Sequence, residues 1–167
     1  AVCVPLAEQG GQFIALGEGV LRQACTRSGA LRAQGLALPL SVNISPRQFR
    51  QPGFVERVRA LLAASGARAG DLIFEVTEGL LRDDVDGTVA RMQELVALGI
   101  RFSVDDFGTG YSSLAYLKRL PLHELKIDRT FVQDTPDDPN DTALVRLVLS
   151  MAAELGLQVV AEGVETR

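Results

Sequence analysis

Short β-prone runs alternate with longer segments of helical periodicity along most of this chain, and that alternation limits the fold more than any other feature. Residues 13–34 carry Phe13, Ile14, Leu16, Val20, Leu21, Ala24 and Cys25 largely on one helical face. A compact apolar strand over residues 40–45 ends at Pro46, and a second helix over residues 54–65 presents Phe54, Val55, Val58, Leu61 and Leu62 before Gly66 stops it. The pattern repeats. A strand over residues 72–77 leads to a helix through Val85, Val89, Met92 and Val96 that ends at Gly99, and a third strand runs from Ile100 to Asp105. Strands over residues 125–127 and 159–161 flank a further helix carrying Leu144, Val145, Val148, Met151, Ala152 and Leu155, opened near Asp141 and closed by Gly156. Residues 135–141, rich in Pro and Asp, read as the longer loop. Strand–helix alternation implies an α/β fold of parallel strands joined by right-handed crossovers, in which ligands bind beyond the carboxyl ends of the strands.

The candidate site follows from that rule. Asp105-Asp106-Phe107-Gly108-Thr109-Gly110-Tyr111-Ser112-Ser113 sets two carboxylates at a strand end, ahead of a glycine-rich loop. Ser103 and Asp105 share one face of the strand, and adjacent aspartates repel unless a cation lies between them or one takes a proton. Taken alone, an Asp capping the next helix explains the pair equally well. However, Asn43, Glu75, Lys126 and Glu162 also stand at or near strand ends. Each has a plain explanation: Asn43 as a satisfied amide, Glu75 or Glu162 as a rim ion pair, Lys126 as the partner of Glu124 or Asp128. Gathered on one rim they call for cations, because burying several carboxylates together costs several kcal/mol each without compensation. Glu75, Asp105, Asp106 and Glu162 match the charge of two divalent ions, and Asn43 adds a neutral oxygen of the kind magnesium and manganese accept. Two ions about 3.5 to 4 Å apart can clamp the attacking water and the leaving oxygen of a phosphodiester, with Asp105 bridging them and Lys126 orienting the water or screening charge.

Composition agrees with an acidic, metal-assisted site. At 167 residues, 47% of them hydrophobic, the chain can build a buried core of ordinary domain size. A net charge of −4 argues against a broad nucleic-acid-binding face, so no DNA or RNA partner is expected. Cys3 and Cys25 lack metal-ligand spacing, and no basic-then-apolar signal segment opens the sequence, so a reduced, cytoplasmic setting is expected. No apolar run approaches the roughly 20 residues of a spanning helix. Membrane attachment, if any, would come from other parts of the parent protein.

From about Phe13 to Arg167 the chain resembles the EAL family of cyclic-di-GMP phosphodiesterases. The resemblance rests on five blocks in the family's order: Ser41-Val42-Asn43-Ile44-Ser45, Phe74-Glu75-Val76-Thr77-Glu78, the Asp105–Ser113 run quoted above, Leu125-Lys126-Ile127-Asp128-Arg129 and Ala161-Glu162-Gly163-Val164-Glu165-Thr166. It implies a TIM-like (β/α)8 barrel and hydrolysis of cyclic-di-GMP to linear pGpG with two Mg2+ or Mn2+ ions in bacterial second-messenger signalling. Asn43, Glu75 and Asp105 would hold one ion, and Asp105, Asp106 and Glu162 the other, with Lys126 contacting the nucleophilic water. Glu78 would steady the regulatory loop of Phe107, Gly108, Thr109, Gly110, Tyr111, Ser112 and Ser113, which couples metal binding to homodimer formation. Sensory or diguanylate cyclase domains would accompany the chain.

The departures shape the expectation further. The Glu-Ala-Leu block, the phosphate-gripping arginine beyond it and the late Gln-Gly-Tyr block are not among these residues. A full barrel takes about 250 residues, so residues 1–167 are expected to be a single partial domain, truncated at both ends, with about five βα units and open sheet edges. His123, expected at the surface, and Gly19 stand where the family more often has an acidic residue and a tryptophan.

Four other readings compete. A glycoside hydrolase using Glu75 and Glu162 is disfavoured by the lack of Trp and the 5% aromatic content, which leave few flat surfaces for sugars. A protein kinase reading of Asp106-Phe107-Gly108 fails because His123 stands in no His-Arg-Asp loop. A catalytically inactive relative that senses cyclic-di-GMP or docks a partner is the serious rival, and retention of Asn43, Glu75, Asp105, Asp106 and Glu162 favours the enzyme. A structural platform dimerising through the 107–113 loop is the remaining possibility.

Overall fold

The computed structural model describes residues 13–81, 84–108 and 117–164. Thr109, Gly110, Tyr111, Ser112 and Ser113 of the expected regulatory loop, like Cys3, lie outside the described residues. The order of elements is α1 (Phe13–Ala33), β1 (Leu40–Asn43), α2 (Pro46–Phe49), α3 (Phe54–Ser65), β2 (Leu72–Thr77), α4 (Val85–Leu98), β3 (Arg101–Phe107), β4 (Glu124–Ile127), α5 (Arg129–Val132), α6 (Pro139–Leu155) and β5 (Gln158–Ala161). The strands form one sheet in the order β1-β2-β3-β4-β5. No helix among the described residues is long and apolar enough to cross a membrane.

Contacts divide the chain into two compact units, Ala1–Phe74 with Glu94–Arg101, and Glu75–Gln93 with Phe102–Arg167. In the first, the apolar stripes of α1 and α3 bury Leu21, Cys25, Phe54 and Val58. The Phe54 ring lies 5.5 Å from that of Phe49 and 6.4 Å from that of Phe74. Burial raises the Cys25 thiol above its ordinary pKa, as befits a small core residue. An ion pair from Arg32 Nε to Asp71 Oδ2 at 2.8 Å ties α1 to the turn before β2.

The second unit holds the sheet segment that matters for function. β3, β4 and β5 pair in parallel. Val104 faces Leu125 and Phe107 faces Ile127 across β3 and β4, so the two aspartates between them on β3 oppose the single residue Lys126. That count is a β-bulge, and Asp106 takes the positive φ of 53° that goes with it. Asp106 therefore lies inside a strand that continues to Phe107, where the sequence pointed to the strand's end. On β4, Leu125 and Ile127 are buried on one face while Lys126 points to the other.

Two boundaries differ from expectation for reasons of capping. β1 stops at Asn43 because Ser45 caps α2, its side chain accepting from Gln48 N at 3.1 Å. α6 begins at Pro139 instead of near Asp141: Asp138 accepts from Asn140 N at 2.7 Å and Asp141 N at 3.1 Å, and proline suits the first helical position. The loop expected over residues 135–141 is correspondingly shorter.

Candidate active site

The strand ends of the second unit converge on the Lys126 ammonium. Its Nζ lies 3.2 Å from Glu75 Oε1, 3.0 Å from Asp105 Oδ1 and 2.5 Å from Glu162 Oε1. Glu75 comes from β2, Asp105 from the bulge of β3, Lys126 from β4, and Glu162 follows β5, its backbone N donating to Ile127 O at 3.1 Å. Glu75 is buried at 7% exposure, a position a carboxylate holds only with a partner. The plain alternatives for Lys126, pairing with Glu124 or Asp128, are not what the fold selects.

Burial works against the Lys126 ammonium, but hydrogen bonds to Glu162, Asp105 and Glu75 outweigh it and hold its pKa well above the ordinary lysine value. Lys126 thus stays charged at neutral pH. In this arrangement it can donate hydrogen bonds and screen negative charge.

Asp105, Asp106 and Glu162 bring one carboxylate oxygen each within 4.8 Å of one another. The Asp106 carboxyl is raised by burial first, then by the charge of Asp105, a hydrogen bond with Asp128 and the charges of Asp128 and Glu162. One ammonium against the four carboxylates of Glu75, Asp105, Asp106 and Glu162 leaves three negative charges when all are ionised. Hard oxygen donors carrying excess negative charge suit hard divalent cations, so the residues present fit such ions.

Glu78 follows β2, and its Oε1 accepts from the backbone N of Gly108 at 3.0 Å, just past the aspartate pair. Asn43 is exposed at the end of β1 and belongs to the first unit. His123, expected at the surface, is half-buried, and its backbone N donates to Phe102 O at 2.8 Å. A side chain at Gly19 would meet open space. The residue that sequence reasoning undervalued is Asp128. It reaches Asp106 and also caps α5, and its spacing two residues after Lys126 was the available signal.

Comparison with known proteins places this geometry in a family. The pattern that defines the EAL domain matches residues 1–167. The chain is 43% identical over 164 residues to the bifunctional diguanylate cyclase/cyclic di-GMP phosphodiesterase MucR of Pseudomonas aeruginosa, an alignment covering 98% of this chain and 24% of MucR. It is likewise 43% identical over 164 residues to the cyclic di-GMP phosphodiesterase NbdA of the same organism, covering 98% and 21%. A structure of the MucR phosphodiesterase in complex with c-di-GMP superposes with a TM-score of 0.91 at 43% identity, over 98% of this chain and 66% of that one. A manganese and cyclic-di-GMP complex of Klebsiella pneumoniae BlrP1 gives a TM-score of 0.82 at 29% identity, over 93% and 40%. The chain thus spans less than a quarter of the length of the two curated relatives and about two thirds of the MucR structure.

Proposed function

The chain belongs to the EAL domain family, and from that premise we propose that it is the hydrolytic part of a cyclic-di-GMP phosphodiesterase that opens its substrate to linear pGpG. Its five strands are part of the family's TIM-like (β/α)8 barrel. The observation that carries the proposal is the gathering of Glu75, Asp105 and Glu162 around one ammonium, with Asp106 beside them. Glu75, Asp105, Asp106 and Glu162 would hold two divalent ions, Mg2+ or Mn2+, which neutralise phosphate charge and activate water.

In the proposed reaction, the oxygen of a water forms a bond to one phosphodiester phosphorus as the bond from that phosphorus to one sugar oxygen breaks, and that oxygen takes up a proton and leaves as the free hydroxyl of pGpG. Lys126 donates to the water or to phosphate oxygen and stabilises charge as it develops. Glu162, at 32% the most exposed of the three carboxylate partners of Lys126, would take the water's proton. Glu78, through Gly108, keeps the backbone after Asp105 and Asp106 in place. The chain would act in the cytoplasm as part of a longer, homodimeric signalling protein, beside sensory or diguanylate cyclase domains.

The test is metal-dependent conversion of cyclic-di-GMP to its linear dinucleotide by the chain with its natural flanks, beside Asp105→Asn. Asp105 lies in both the Lys126 contact and the acidic cluster, so its replacement is expected to lower turnover by several orders of magnitude. Near-normal hydrolysis by the variant would overturn the assignment. Substrate binding by the unaltered protein with no turnover would favour a sensor.

A further inference from the structure

The two acidic segments of the site are followed by glycines at which any side chain would run into the same short turn. Gly108, two residues after Asp106, has a φ of 103°, and a Cβ there would lie 3.1 Å from Cε2 of Phe131. Gly163, directly after Glu162, has a φ of 70°, and a Cβ there would lie 2.6 Å from Cβ of Arg129. Arg129 and Phe131 stand two residues apart on α5, the turn that β4 enters directly after Lys126 and Asp128.

That turn is closed on itself. Asp128 accepts from Thr130 N at 2.8 Å and from Thr130 Oγ1 at 2.5 Å, Phe131 N donates to Asp128 O at 3.1 Å, and Thr135 Oγ1 donates to Phe131 O at 2.9 Å. The Phe131 ring is backed by α6, with which it borders a void of about 40 Å3 beside Leu144 and Val148. The Gly108 N–H donates to the Glu78 carboxylate, and the Phe131 ring stands where a side chain at Gly108 would go.

We propose that α5 sets the separation of the two acidic segments, with Phe131 the positioning residue for Asp105 and Asp106 and the close approach of Arg129 Cβ to Gly163 fixing Glu162. The proposal rests on the phosphodiesterase reading, since the carboxylates it positions are those assigned to divalent ions. Groups that orient ligands from behind characteristically change metal affinity ten- to a hundredfold when replaced. A packing role alone would change stability and leave affinity untouched.

The experiment measures Mn2+ affinity from the free-ion electron paramagnetic resonance signal, in the protein with its natural flanks, for Phe131→Ala, Phe131→Leu and Val132→Ala. Val132 belongs to the same turn but touches neither glycine in the contacts above. Phe131→Ala is expected to weaken Mn2+ binding about tenfold or more, Phe131→Leu less, and Val132→Ala not at all. If Phe131→Ala fails to fold, Phe131→Leu, which keeps apolar contact with α6, carries the comparison. Unchanged affinity in the Phe131 variants, or an equal loss in Val132→Ala, overturns the proposal. Failure of the unaltered protein to bind Mn2+ would instead overturn the metal reading. The crystal structure of Phe131→Leu then decides positioning: a changed distance between the Asp105 and Glu162 carboxylates supports it, and an unchanged one refutes it.

Discussion

Asp106 concentrates the conflict on which the site depends. It is the only non-glycine residue with positive φ among the described residues, and its carboxyl is raised by burial and by Asp105, Asp128 and Glu162. An acid whose folded pKa exceeds its unfolded value weakens the fold once ionised. The penalty is absent below the unfolded value and complete above the folded one. Asp106→Asn removes the charge and keeps a side chain that tolerates positive φ. It is therefore expected to raise the Tm of the metal-free protein near pH 7, with the gain fading below about pH 4. Thermal scans across that range check the sign, and a gain that persists undiminished at low pH would contradict it. At this scale the Asp-Asp pair was legible because adjacent like charges need a reason. The bulge that sets both opposite the single residue Lys126 was not, since it exists only in the register of β3 against β4.

The elements were legible wherever local chemistry punctuates the chain. Gly66 and Gly156 end α3 and α6 at the residues expected, because a left-handed cap is a local preference. The start of α6 was displaced because Asp137, Asp138 and Asp141 all offer capping oxygens and only Pro139 discriminates among them. Asp138→Ala leaves two amide donors without their acceptor and is expected to cost about 1 kcal/mol. Asp141→Ala should cost distinctly less. Urea denaturation of the two variants checks this, and equal midpoints would return the cap to Asp141. α5 escaped sequence reading because four residues are too few to show periodicity, although the Asp128 and Thr130 pair that caps it is a recognisable sign.

For the molecule as a whole, the carboxylate cluster costs stability that ligand binding can return. Divalent ions that bind only the folded chain should raise stability by RT ln(1 + [L]/Kd), about 2.7 kcal/mol at a hundredfold excess over Kd. Calorimetry with Mn2+, with Mg2+ and with a chelator measures the shift, and identical melting curves in all three would count against a metal site. The increment should be strongly reduced in Asp106→Asn, which removes a candidate ligand.

The α/β class, the helix stops, the acidic strand ends and the resemblance to the EAL family were all readable from the order of residues. Periodicity, capping and motif chemistry act over a few neighbouring positions, so a linear sequence carries them in full. Tertiary structure alone decided that Lys126 pairs with Glu75, Asp105 and Glu162 instead of its near neighbours Glu124 and Asp128, and it gave the Gly108 amide as the point where Glu78 meets the loop that the resemblance assigned to it. Those outcomes depend on which strands lie side by side and in what register. Burial of the apolar residues of β3 and β4 selects that arrangement, and the charged residues between them follow.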